Sequence, residues 1–196
     1  MLTLKKVAIT GGLASGKSTV CQILKRFGAY VVDSDEIVHD LLTPNTPLGK
    51  EIKNLLGEDV LTDGKFDRKR IAAKVFFNPD LLRSLEKILH PAVIKEIEKR
   101  FHNLKDAKHT SLFVAEIPLL YESDLAKHFD VVIAVVADPT IARSRSKHLQ
   151  DFEQRTERQL PSHEKAARAD FIITNNGNLK ELEEQVTTIH RSLTGQ

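Results

Sequence analysis

The 196-residue sequence predicts an α/β protein built on a parallel β-sheet. Five short apolar runs are rich in Val and Ile and are continuous rather than alternating, which is typical of strands buried on both faces. Helical patterns lie between them, and this β-α-β order implies parallel strands joined by right-handed crossovers. The runs read KVAIT, AYVVD, SLFVAEI, VVIAVVA and FIIT. We therefore expect a five-stranded parallel sheet flanked by helices.

Two helices are predicted from amphipathic spacing. The first covers about Lys17 to Phe27 and places an apolar stripe on one side, and the last shows steps of three and four residues over its length. Asn178 stands at the N-cap of the last helix, with Glu181 at the capping-box position. The stripes consist of Val20, Ile23, Leu24 and Phe27 in the first helix, and of Leu179, Leu182, Val186, Ile189 and Leu193 in the last.

A long helical insertion is predicted between the second and third strands. About 75 residues separate VVDSD from SLFVA, far more than one crossover helix requires. Helical segments are expected at 36–42, 48–56, 69–77, 79–89 and 91–101. Asn78-Pro79 has the form of an N-cap followed by a first helical residue, and His90-Pro91 repeats it, so a helix boundary is expected at His90.

Composition excludes several classes of function. Lys and Arg exceed Asp and Glu by two, so the net charge of +2 gives no general reason to expect nucleic acid or an anionic membrane as a partner. The single Cys21 allows neither an internal disulfide nor a cysteine zinc site, and we expect it to be a packing residue. No apolar run approaches the length of a membrane span, and the N-terminus lacks the layout of a signal peptide. A cytoplasmic protein is expected.

Gly11-x-x-x-x-Gly16-Lys17-Ser18 is the Walker A pattern, and it lies between an apolar strand and an amphipathic helix, as the motif requires. Its glycines let successive backbone N–H groups point inward around phosphate oxygens, with the positive end of a helix dipole behind them. Lys17 is expected to reach the β- and γ-phosphates, Ser18 to hold Mg²⁺, and Thr19 to support the α-phosphate. The pattern predicts a nucleoside triphosphate site.

Other features favour a small-molecule kinase over other uses of the nucleotide. A GTPase would need an Asn-Lys-x-Asp motif, which TNNGN does not supply, and FVAEIP offers only Glu116 where a motor would carry an Asp-Glu pair. The helical insertion suits a substrate-binding segment. A basic stretch after VVIAVVADPT suits a lid that excludes water. That stretch contains Arg143, Arg145, Lys147, Arg155 and Arg158.

Asp33 ends the second strand, in VVDSDEIV. Ligands of such folds bind beyond the carboxyl ends of the strands, where a carboxylate can orient an acceptor hydroxyl toward the γ-phosphate. An alternative is that Asp33 only favours the following helix N-terminus, which fits Asp35 about as well or better. Glu116 could reach a metal-bound water or make a structural hydrogen bond, and His90 could cap a helix. Arg143 and Arg145 are two residues apart, so one helix face cannot present both.

The motifs AITGGLASGKST, VVDSDEIVHDL, LEKILHPAVIKEI, EIPLLYE and ADFIITNNGN resemble, in order and over nearly the whole length, those of the dephospho-CoA kinase family. The resemblance implies a P-loop NTPase fold and transfer of the ATP γ-phosphate to the ribose 3′-hydroxyl of dephospho-CoA. It also implies a nucleotide-binding core of residues 1–42, 110–139 and 160–196, a helical CoA-binding insertion of residues 43–105 and a lid of residues 140–159. Here Ala14 replaces the family's third loop glycine, and Ala142 its customary lid glutamine.

The resemblance also assigns residues. It implies catalytic roles for Asp33, Lys17 and Arg145, and dephospho-CoA contacts for Asp33, Arg68, His90 and Leu119. Mg²⁺ would be the cofactor, held at Ser18, and a monomer or weak homo-oligomer is expected. The ATP-binding residues would be Gly12, Leu13, Ala14, Ser15, Gly16, Lys17, Ser18, Thr19 and Asn175. The alternatives are another small-molecule or nucleoside-phosphate kinase on the same core, or a nucleotide-binding regulator without catalysis.

Overall fold

A computed structural model of the protein describes residues 4–104, 110–146, 152–153 and 156–195. Its main sheet has five parallel strands in the order β2-β5-β1-β6-β7, which confirms the predicted fold class. The strands are β1 (Lys6–Gly11), β2 (Tyr30–Asp33), β5 (Phe113–Glu116), β6 (Val131–Val136) and β7 (Phe171–Thr174). The chain moves from β1 to one side of the sheet and returns later to the other, so the crevice for a ligand opens at the carboxyl end of β1.

The core of the first compact unit, residues 1–33 and 100–196, surrounds β1, whose residues are all buried. Helices α1 (Lys17–Arg26) and α8 (Leu179–Thr194) pack against it and against each other, and the unit also contains α6 (Pro139–Arg145) and α7 (Ser162–Arg168). Both predicted apolar stripes enter this core, although Phe27 is only partly buried. Leu179 is an exception: it is 56% exposed, because it is the first residue of its helix.

Helix α8 begins where its capping signal predicts. The Asn178 side chain accepts a hydrogen bond from the backbone N–H of Glu181 at 3.1 Å, and its amide nitrogen donates to the Glu181 carboxylate at 2.7 Å. The N-terminus of α1 differs, since Gly16 precedes it in a left-handed conformation without a side-chain cap. The first N–H groups of α1 are therefore left for a ligand or water.

The second compact unit, residues 34–99, has a core of its own. It contains α2 (Ser34–Leu41), α3 (Pro47–Leu56), the short strands β3 (Leu61–Thr62) and β4 (Lys65–Phe66), α4 (Arg68–Phe76) and most of α5 (Pro79–His102). The buried residues at its centre are Ile52, Leu56, Val60, Ile71, Val75, Leu85 and Leu89. Asn78 accepts from the N–H of Leu81 at 3.0 Å, as expected of an N-cap.

The predicted boundary at His90 is wrong, because α5 is a single helix of 24 residues that continues through Pro91. A proline inside a helix costs about 3 kcal/mol through its missing N–H and its clash with the preceding turn. Leu89, Val93 and Ile97 are buried on either side of it. Each such aliphatic burial contributes about 1.5–3 kcal/mol, which offsets the break. His90 therefore lies within a helix, and the interpretation as a cap is excluded.

The antiparallel pair β3–β4 was not expected within the helical insertion. It turns at Asp63 and Gly64, whose φ values are +50° and +72°. Two successive positive φ values define the tight hairpin turn that an Asp-Gly pair favours. The described part of the chain has no helix long and apolar enough to cross a membrane.

Candidate active site

The Walker A residues form a loop between β1 and α1 that wraps on itself. Nζ of Lys17 donates to the carbonyl oxygens of Gly11 at 3.2 Å and Gly12 at 2.8 Å, so the ammonium is held against its own loop. Three residues have positive φ: Gly11 at +149°, Ala14 at +55° and Gly16 at +98°. A β-carbon at Gly11 would lie 2.1 Å from the carbonyl oxygen of Val135 in β6, so that position tolerates only glycine.

Asn175, which follows β7, holds the loop from the other side. Its buried amide nitrogen donates to the Ser15 carbonyl at 2.8 Å. A β-carbon at Gly16 would lie 2.1 Å from that nitrogen, so the bond depends on glycine there. Nη1 of Arg145 in turn donates to the Asn175 carbonyl at 2.8 Å. Loop, strand end and arginine thus form one hydrogen-bonded assembly.

A cavity of about 620 Å³ opens beside this assembly, a volume within the usual range for small-molecule sites. One part of its wall consists of the phosphate loop and the start of α1, and the other of the segment from β7 into α8. Its lining residues are Ala14, Gly16, Lys17, Ser18, Thr19, Arg145, Asn175, Gly177, Leu179 and Leu182. Sequence analysis did not predict Gly177, Leu179 or Leu182 as site residues, although their position after the last strand was a usable signal.

Two carboxylates end neighbouring strands at the same edge of the sheet. Asp33 of β2 is the register partner of Glu116 of β5, and adjacent strands lie about 4.8 Å apart. Ser18 donates its hydroxyl to Oε1 of Glu116 at 3.0 Å. Burial raises the pKa of Glu116, an effect that the Ser18 hydrogen bond and the Lys17 charge oppose and that Asp33 reinforces. The phosphate loop, the Ser18 hydroxyl and the carboxylates of Asp33 and Glu116 therefore lie together at this edge of the sheet.

Cys21 lies beneath this cluster on α1 and is buried. Burial raises the pKa of its thiol well above the ordinary range, and the nearby Glu116 charge adds to the effect. A thiol held in its neutral form is a poor nucleophile. Cys21 packs in the core, as the sequence indicated.

The remaining predicted residues lie elsewhere in the two units. Leu119 is partly buried in the turn after β5. In the second unit, Arg68 is exposed at the start of α4 and His90 is half-buried in α5. Burial lowers the pKa of His90, against a smaller opposing effect of Glu86.

The basic stretch is only partly described. Arg143 makes an exposed ion pair with Glu153 at 3.0 Å, whereas Arg145 faces the cavity. Two arginines two residues apart thus have different surroundings. Of the predicted lid, residues 140–159, Lys147 and Arg155 lie outside the described residues, together with residues 148–151 and 154.

Comparison with known proteins identifies relatives over the whole length. A family described as dephospho-CoA kinase matches residues 5–181. The dephospho-CoA kinase of Protochlamydia amoebophila is 48% identical over 199 residues, which cover 98% of each chain.

Solved structures agree with these relatives. A Thermus thermophilus crystal structure has a TM-score of 0.83 at 28% identity and covers 98% of this chain and 100% of that one. The dephospho-CoA kinase of Campylobacter jejuni has a TM-score of 0.72 at 26% identity, with 97% of each chain covered.

Proposed function

Because the chain belongs to the dephospho-CoA kinase family, we propose that the residues around this cavity carry out the family's reaction. That reaction is ATP-dependent phosphorylation of dephospho-CoA in the biosynthesis of coenzyme A, with transfer to the ribose 3′-hydroxyl. The observation that carries the residue assignment is the pairing of Asp33 with Glu116, which is bonded to Ser18 of the phosphate loop.

The loop binds the triphosphate. The uncapped N-terminus of α1 and the inward-facing amides attract phosphate oxygens. Lys17 lies against the loop carbonyls and has a short path to the β- and γ-phosphates, while Thr19 is placed for the α-phosphate. With the phosphates there, the base extends along the cavity toward Asn175 and Leu179. Because the Asn175 amide is bonded to Ser15, Asn175 acts on the nucleotide through the loop backbone.

Of the arginines that the structure describes in the basic stretch, Arg145 is the one that serves the phosphates in this proposal. Its guanidinium lines the cavity and is oriented by the Asn175 carbonyl, whereas Arg143 pairs with Glu153 at the surface. A guanidinium beside the γ-phosphate stabilises the charge that spreads over the transferring group. Lys17 and Arg145 together neutralise the phosphoryl group as it leaves ADP.

Asp33 orients the acceptor. Carboxylates such as that of Asp33 are weak bases toward an alcohol, because an alkoxide binds a proton far more strongly than a carboxylate does. The main contribution of Asp33 is therefore to hold the 3′-hydroxyl in line with the γ-phosphate and to take up the proton late in transfer. The product proton then rests on the Asp33 carboxylate before it leaves to solvent.

The donor set fits Mg²⁺. Ser18 Oγ and the carboxylates of Asp33 and Glu116 are hard oxygen ligands, and Mg²⁺ usually takes only one or two carboxylates in addition to phosphates and water. Ser18 would hold the ion directly and Glu116 would accept from one of its waters. Bound there, Mg²⁺ would supply positive charge that offsets the negative charge of the phosphates. The ion would also supply a counter-charge to the buried Glu116 carboxylate, in addition to the charge of Lys17.

Arg68, His90 and Leu119 are the further acceptor contacts that the family resemblance implies. Arg68 is an exposed cation suited to the pyrophosphate of dephospho-CoA, and Leu119 supplies an apolar contact. The lowered pKa of His90 keeps its imidazole neutral at pH 7, so it serves as a hydrogen-bond partner. We place the enzyme in the cytoplasm, where a reduced thiol such as Cys21 is the rule, as a monomer or weak homo-oligomer.

The test is CoA formation from dephospho-CoA and MgATP by purified protein, followed by mass spectrometry, with a panel of other hydroxyl acceptors. Asp33→Asn should lose turnover by about 10²–10⁴-fold and keep its affinity for ATP. Asp35→Asn, two residues further in α2, is the matched control and should keep most of the activity. Equal activity of Asp33→Asn and wild type would reject the assigned role, and wild type inert with every acceptor would favour the regulator.

A further inference from the structure

Lys165 of α7 is fully buried, with 0% of its side chain exposed. Lysines are almost never buried in this way unless their ammonium group is paired. Nζ of Lys165 donates to the carbonyl of Pro118 at 2.6 Å and lies 2.9 Å from Oε1 of Glu122. Both partners belong to the turn that follows β5, so the Lys165 ammonium contacts that turn through both of these interactions.

The two partners of Lys165 stand on either side of Leu119. Pro118 precedes it directly and Glu122 follows three residues later, and both meet at the same nitrogen. The backbone N–H of Ser123 closes the turn on the Leu119 carbonyl at 3.1 Å. The position of Leu119 is thus determined from both ends by the Lys165 ammonium.

The same anchor points connect the turn to the phosphate loop. Thr10, which directly precedes Gly11 of the phosphate loop, donates its hydroxyl to the Pro118 carbonyl at 3.2 Å. The N–H of Ile117 donates to the Ile9 carbonyl at 2.8 Å. The Glu122 carboxylate also accepts from the N–H of Leu160 at 2.7 Å. Lys165 therefore holds the turn in a defined position beside the end of β1.

A buried ion pair is a poor device for stability alone. Replacing such a pair by apolar residues of similar volume is often neutral or stabilising, because both charges must be desolvated. We propose that Lys165 is a positioning residue, which sets the turn at residues 117–122 so that Leu119 contacts the acceptor substrate. This inference rests on the proposed function, in which dephospho-CoA is the acceptor.

The test compares Lys165→Met with Leu119→Ala and with the variant that carries both changes. Lys165→Met should raise KM for dephospho-CoA about tenfold or more, as expected of a misplaced contact, and leave KM for ATP within about twofold. If Lys165 acts through Leu119, the variant with both changes should have the acceptor KM of Leu119→Ala alone. Lys127→Met, which removes an exposed pair with Asp124, is the matched control and should change neither constant.

Two outcomes would overturn the proposal. The first is a lower Tm for Lys165→Met while KM for ATP and KM for dephospho-CoA both stay unchanged, which would be a purely structural effect. The second is additivity of Lys165→Met and Leu119→Ala in the acceptor KM. If Lys165→Met does not fold, Glu122→Gln with Lys165→Met leaves no unpaired buried charge and serves in its place. Wild-type protein without dephospho-CoA turnover would instead reject the proposed function itself, so the two failures are distinguishable.

Discussion

Replacing Ala14 with glycine tests whether the phosphate loop stores backbone strain. Ala14 has a φ of +55°, in the left-handed region. For a residue with a β-carbon this conformation costs about 1–2 kcal/mol relative to the right-handed one, and glycine avoids that cost. Ala14→Gly should therefore relieve strain in the folded state.

An opposing effect comes from the unfolded state. Glycine has more conformations to lose on folding than alanine, which costs about 0.4–1 kcal/mol. The difference between the central values of the two effects is a net stabilisation of about 0.8 kcal/mol. For a chain of this size that corresponds to an increase in Tm of about 2–3 °C.

The assay is thermal unfolding without nucleotide, followed by calorimetry. Ala167→Gly is the matched control, because Ala167 is exposed within α7 and lies in ordinary helical backbone. That variant should lose about 0.5–1 kcal/mol. If Ala14→Gly lowers Tm as Ala167→Gly does, the loop is unstrained and the reasoning fails.

Two further predictions concern the same loop. Gly16→Ala places a methyl group 2.1 Å from Nδ2 of Asn175. Loss of the hydrogen bond from Asn175 to the Ser15 carbonyl should cost about 1–3 kcal/mol. Because that bond holds the phosphate loop in its binding conformation, ATP affinity measured by titration calorimetry should fall about 5- to 150-fold; unchanged affinity would contradict this. Glu116→Gln should stabilise the protein in EDTA at neutral pH. Since burial raises the pKa of Glu116, wild type loses stability relative to the glutamine variant as pH rises from below the usual value of 4.5 through the raised one. A Tm difference independent of pH between 4 and 8 would refute it.

The sheet and the phosphate loop could be predicted because their determinants are local. A strand buried on both faces must be apolar at successive positions, so five Val- and Ile-rich runs became the five strands of one sheet. The glycines of the Walker A pattern have conformations that other residues avoid, and the pattern therefore marks the loop directly. Asn178 and Asn78 show that capping residues also act through near neighbours.

One error in the second unit arose where packing overrides a local signal. Pro91 is a strong helix breaker, but buried residues on both sides keep α5 continuous. The Asp63-Gly64 turn is the opposite case. Asp-Gly is a local hairpin signal that the structure follows, whereas the sequence analysis predicts only helices in this insertion. A helical pattern on either side of a stretch does not exclude a short pair of strands within it.

Parts of the candidate site depend on strand register, which composition does not reveal. Asp33 was selected from its place at a strand end, but its pairing with Glu116 requires the strand order β2-β5-β1. Lys165 could not be found at all, because a lysine in a short polar helix usually points to solvent. Its burial is decided by Pro118 and Glu122, more than 40 residues earlier in the chain.

The bond from Asn175 to the Ser15 carbonyl joins residues 160 positions apart. During synthesis the ribosome must therefore add 160 residues after Ser15 before the amide that braces the Walker loop exists. Until then the nascent chain has its phosphate-binding motif without the brace. The brace itself therefore forms late, after β7 has docked and brought Asn175 to the loop.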